Sequence, residues 1–123
     1  MANPSRGECE IIINKNVYTA KATVNAACDV EDKTGLSVYA IGEGMSSLNG
    51  YKINTVAALL WAAIRAGFDD AGNAPTFIEV RDDIFIAGVS TFAEPCAKLI
   101  SFWTLSNEQT RDIEDALKKT SSD

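Results

Sequence analysis

A chain of 123 residues that is 46% hydrophobic and 23% charged has the material for one buried core and is too apolar for intrinsic disorder. Its 17 acidic and 11 basic side chains leave a formal net charge of −6, which disfavours nucleic acid as a partner because phosphate neutralisation needs a basic face. No apolar run approaches the roughly 20 residues that cross a bilayer, so no membrane span is expected.

Residues 1–7 read as a flexible leader. Arg6 is followed by Glu8 and Glu10 rather than by the apolar core of a signal peptide, so a cytoplasmic location is expected. Residues Glu8–Ala22 read as a β-hairpin. Cys9, Ile11 and Ile13 alternate with Glu8, Glu10 and Ile12 at a period of two. Asn14-Lys15-Asn16 supplies the turn, because Asn tolerates the left-handed backbone, and Val17–Lys21 is rich in strand-favouring residues.

From Thr23 the period turns helical. Thr23 is the expected cap of a helix through Lys33, with Val24, Ala27 and Cys28 on one face and Gly35 as the stop. Ser37 is the expected cap of a second helix, with Leu36 and Ile41 as a hydrophobic staple and with Gly42 and Gly44 weakening its far end. Asn54 is placed as the cap of a central helix, Thr55–Ala66, closed by Gly67. Val56, Leu59, Leu60, Trp61, Ala63 and Ile64 cover most of its circumference, the mark of a helix buried by its neighbours.

Phe68–Pro75 reads as a solvated loop, since its Asp69, Asp70 and Asn73 lack the ligand spacing of a calcium loop. Thr76 and Glu79 form a capping box opening a helix to Ala87. Thr91 and Glu94 suggest another, followed by an apolar stripe of Phe92, Cys96, Leu99, Ile100 and Trp103. Ser106–Gln109 opens a last helix anchored only by Ile113, Ala116 and Leu117, so residues 107–123 are expected to dock loosely. The fold class is α+β: one domain, with an N-terminal β-hairpin packed on about five helices.

Candidate chemistry is sparse. There is no histidine, the commonest general base and metal ligand. The adjacent pairs Asp69/Asp70 and Asp82/Asp83 point about 100° apart on a helix and suit solvation better than acid–base work. Gly42-Glu43-Gly44 is not a phosphate cradle. Cys9, Cys28 and Cys96, odd in number and without CxxC spacing, are expected to be small buried thiols rather than a disulfide or zinc site. No catalytic, metal or cofactor residue is assigned. Phe102 and Trp103 are adjacent and diverge around their helix, so both cannot face one core direction. With Ile113 and Leu117 they are the candidate partner-binding residues.

The stretch ANPSRGECEIIINKNVYTAKATVNAACDVEDKTGLSVYAIGEGM, then TVAALLWAAIRAG, then a small helical C-terminal region, resembles the tail-assembly chaperones of phages and gene transfer agents, a family also described as gene-transfer-agent tail tube proteins. The resemblance spans roughly residues 2–105 and rests on structural rather than catalytic motifs. Where relatives tend to carry an Asn-Gly or Asp-Gly turn, this chain has Asn14-Lys15-Asn16. The resemblance implies a non-enzymatic factor that binds the tape-measure protein, helps recruit tail-tube subunits and is absent from the finished particle. Self-association is compatible with it, as is a longer frameshifted form. Two rival readings are a structural tube or connector subunit, which would want more β-strands, and an acidic DNA mimic, which would want a denser carboxylate face.

Overall fold

The alternation at the head of the chain folds as a hairpin. In a computed structural model, which describes residues 3, 6–45 and 52–105, β1 (Glu8–Ile13) pairs antiparallel with β2 (Asn16–Lys21). Cys9, Ile11 and Ile13 are buried and share the inner face with Ala20, while Ile12 and Val17 sit opposite one another on the outer face. The reversal is shorter than the three-residue turn expected. Ile13 pairs with Asn16, leaving Asn14 (φ 51°) and Lys15 (φ 68°) as a two-residue loop with both φ positive, the requirement of a type I′ turn.

Among the described residues five α-helices follow, which makes the fold α+β. In α1 (Val24–Thr34) the Thr23 hydroxyl accepts the Ala26 N–H at 3.0 Å, and Gly35, at φ 72°, donates to the Glu31 carbonyl at 2.8 Å. The expected face is wrong, however. Ala26 and Val30 are buried, whereas Val24 and Cys28 are exposed. Positions two apart on a helix lie about 200° apart, so once Ala26 and Val30 pack inward, Val24 and Cys28 must point out.

At the start of α2 (Val38–Met45) the Ser37 hydroxyl accepts the Ala40 N–H at 3.1 Å. Glu31 of α1 reaches across to accept the Val38 N–H at 3.2 Å, so one helix helps cap the next. Ile41 is buried, but Leu36, the outer member of the expected staple, stays largely exposed.

The central helix α3 (Ile53–Ala66) begins earlier than expected. Lys52 is its N-cap, without a side-chain hydrogen bond, and Asn54 lies in the first turn. Taking Ile53, which is half-buried, into the helix aligns it with the buried Val56 and Leu60 on one side. Eight of its residues are buried, and α1, α4, α5 and β2 all pack on it. At its end Gly67 passes against the backbone of β2, where a Cβ would collide with the Thr19 carbonyl oxygen.

The 68–75 loop contains a short 3-10 turn, Ala71–Asn73, in which Asp70 accepts the Gly72 N–H at 2.9 Å. The capping box of α4 (Phe77–Ala87) is complete: Glu79 N–H donates to the Thr76 hydroxyl at 3.2 Å and Thr76 N–H to the Glu79 carboxylate at 3.0 Å. The box expected at Thr91 does not form. A 3-10 turn, Val89–Phe92, runs directly into α5 (Ala93–Thr104), so Thr91 lies inside the turn and its hydroxyl donates to the Ala87 carbonyl at 3.2 Å instead. Phe92, Cys96 and Leu99 carry α5 into the core. Among the described residues no single helix is long and apolar enough to cross a membrane.

Candidate functional site

The partner-binding residues read from the sequence separate into two groups. Ile113 and Leu117, with the rest of the expected C-terminal helix, lie outside the described residues, as does most of the expected leader. Phe102 and Trp103 occupy the last turn of α5, and both are half-buried against the core. Their divergence is absorbed by two different neighbours. Phe102 lies beside Gly7 at the foot of the hairpin, with its Cβ 3.9 Å from the place a Gly7 Cβ would occupy. Trp103 turns towards α1 and its indole N–H donates to the Thr23 carbonyl at 2.9 Å. That carbonyl also accepts the first helical bond of α1, from Ala27 N–H at 3.1 Å. The aromatic pair therefore ties the C-terminal end of α5 to the junction between hairpin and first helix.

Trp61 and Phe77, from α3 and α4, make a second aromatic corner. Their rings meet edge to face, with centroids 6.0 Å apart. Lys33 lies over both, 4.5 Å from the Phe77 centroid and 5.3 Å from that of Trp61, and Arg65 approaches Trp61 from another side at 5.7 Å. Such contacts contribute on the order of 0.5–1 kcal/mol each at exposed sites. Beside this corner an open groove of about 370 Å³ is lined by Lys33, Thr34, Asn54, Thr55, Phe77 and Arg81.

The thiols do not form a site. Cys9 and Cys96 are buried in the core, but Cys28 is exposed on the outer face of α1, which corrects the expectation that all three are buried. Burial raises the Cys9 thiol, against a smaller opposing effect of Lys98. It pushes Cys96 up to about 12, with Cys9 adding a smaller push in the same direction. A thiol held neutral in this way is a poor nucleophile. Among the described residues no three His, Cys, Asp or Glu side chains are grouped so as to hold a metal ion. Asp69 and Asp70 are exposed in their loop, and Asp82 pairs with Arg81 at 3.1 Å.

The surface that the sequence reading missed is on α4. Val80 and Ile84 face the core, yet Ile78, Phe85 and Ile86 are exposed, at 58%, 73% and 81%. The signal was present. Phe77-Ile78 and Phe85-Ile86 are adjacent apolar pairs eight residues apart, and neighbours 100° apart cannot all enter one core. On the hairpin, Ile12 and Val17 add a cross-strand apolar pair, each 61% exposed.

No family model, no curated protein and no solved structure matches the chain.

Proposed function

We propose that this protein is a non-enzymatic tail-assembly chaperone that acts in the cytoplasm, binds the tape-measure protein, helps recruit tail-tube subunits and leaves before the particle is complete. One observation carries the reading beyond the sequence resemblance: large apolar side chains stand outward on a small domain whose interior is otherwise well satisfied. Among the described residues no buried side-chain polar atom lacks a hydrogen-bond partner, and the buried set is entirely hydrophobic. The exposed Ile12, Val17, Ile78, Phe85 and Ile86 are therefore not the leftovers of a poorly formed core. A factor that keeps a hydrophobic helical client in solution needs such side chains, and its acidic charge keeps its own copies apart.

Co-expression with the tape-measure protein tests this. The chaperone reading expects the client to stay soluble and to be captured with this chain, and expects mass spectrometry of purified particles to show no copy of it. A tape-measure protein equally soluble without this chain, or stoichiometric retention in particles, would overturn it. A chain ending at Ser106 tests whether Ile113 and Leu117 belong to the binding surface. The expected outcome is a folded core with altered client capture.

A further inference from the structure

We infer that the outward face of α4 is a docking surface for a helix of another protein whose apolar stripe is edged by lysine or arginine. The inference rests on α4 itself and does not require the client to be a tape-measure protein.

Taking Ile78 as the reference direction, Phe85 lies about 20° to one side and Ile86 about 80° to the other at 100° per residue. Val80 and Ile84, which are buried, fall on the opposite side. The helix thus carries large apolar side chains on two sides, with Asp82 lying among those of the outer one. One side is used by the core, while among the described residues the other has its apolar side chains 58–81% open to solvent. Single exposed apolar residues are ordinary; three large ones along one side of an 11-residue helix form a stripe.

The charges on that side select the occupant. Glu79, Asp82 and Asp83 are interleaved with the stripe or flank it, and Arg81 is the only basic residue of α4. Arg81 pairs with Asp82, whereas among the described residues Asp83 and Glu79 make no ion pair. The Glu79 carboxylate is held below its usual range by the Thr76 backbone N–H and then by the Thr76 side chain, so it stays charged. A second copy of this chain meeting the same face would set these carboxylates against one another, and an anionic membrane would be repelled by them. A helix with apolar residues at i, i+3, i+4 and i+7 and basic flanks satisfies both the stripe and its acidic edge.

The experiment uses the full chain and a labelled synthetic peptide of about five helical turns, with leucines on one face and lysines beside them. A second peptide carries glutamates in place of the lysines. Fluorescence anisotropy is expected to show binding of the lysine peptide that weakens as salt is raised, and at least about tenfold weaker binding of the glutamate peptide. The double variant Phe85→Ser/Ile86→Ser should melt like the parent chain, because both side chains are exposed, yet bind the lysine peptide at least about tenfold more weakly. Asp83→Lys, which leaves the apolar stripe intact, should reduce both the preference for lysine and the salt dependence.

Equal affinity of the double variant, or equal binding of the two peptides, would sink the proposal. So would self-association, or binding to vesicles of phosphatidylglycerol and phosphatidylcholine, that the double variant abolishes, since the face would then belong to a second copy or to a lipid surface. Peptide binding without capture of the tape-measure protein counts against the chaperone reading alone. Capture of the tape-measure protein together with equal binding of the two synthetic peptides counts against this face alone.

Discussion

Gly67, at the end of α3, lies so close to the Thr19 carbonyl of β2 that no side-chain carbon fits between them. Its φ of −81° is ordinary, so the position requires glycine for space and not for backbone conformation. The contact sets how closely the hairpin approaches the central helix. Gly67→Ala is expected to cost about 3 kcal/mol, because the obstacle is backbone and cannot rotate away. Gly44 is the control. Among the described residues a Cβ there meets nothing within 4 Å, and Gly44→Ala in α2 should stabilise by about 0.5–1 kcal/mol. Urea melts of the two variants should move in opposite directions.

Leu60 is fully buried at the middle of α3, with α1, α4, α5 and β2 packed around that helix. Leu60→Asp would place an unpaired charge there, at a cost of several kcal/mol, comparable to the whole stability of a small domain. Circular dichroism is expected to show no cooperative melt. A transition near that of the parent chain would mean that α3 is not the spine.

Lys15 occupies a left-handed position in the two-residue turn without the freedom of glycine. Lys15→Gly restores the Asn-Gly pair that type I′ turns favour and should stabilise the protein by about 0.5–1 kcal/mol. Thermal unfolding measures the gain, and a loss would show that the turn is set by something other than its own backbone preference.

Thiol reactivity should divide two to one. Cys28 is expected to react with maleimide in the native protein, while the buried Cys9 and Cys96 react only on unfolding. The pH dependence follows from the raised thiols. A folded-state value above the unfolded one means that the neutral thiol's contribution is complete below the ordinary thiol range. It is then lost as pH rises from that range towards about 12 for Cys96. Cys96→Ala should flatten that part of the stability profile, measured by urea titration at successive pH values, although the cavity lowers stability at every pH.

Periodicity and capping chemistry made much of this fold legible in the sequence. The two-residue repeat placed Cys9, Ile11 and Ile13 on the inner face of the hairpin. Thr23, Ser37 and Thr76 supply hydroxyls where helix starts need acceptors, and those bonds are made within three residues. The two-sided apolar character of α4 was equally present in Phe77-Ile78 and Phe85-Ile86, but a pattern of apolar residues does not state which pair meets the core. The same ambiguity misplaced the inner face of α1 and left Cys28 among the buried thiols.

Local rules failed where a distant element competed with them. Asn54 and Thr91 are good capping residues, yet α3 already begins at Ile53 and a 3-10 turn leads into α5, so neither residue caps its helix. Gly42, which weakens a helix by its sequence alone, sits where a Cβ would come within 2.9 Å of Ile100 Cγ2, so its lack of a side chain makes room for α5. Phe102 and Trp103, adjacent and divergent, find separate neighbours at Gly7 and Thr23. The existence and order of the elements were legible in the chain alone, because turns, caps and periodicity act over a few residues. Which faces those elements bury and where two backbones touch depends on tertiary packing, because the neighbouring atoms come from residues as much as 95 positions away, as Phe102 is from Gly7.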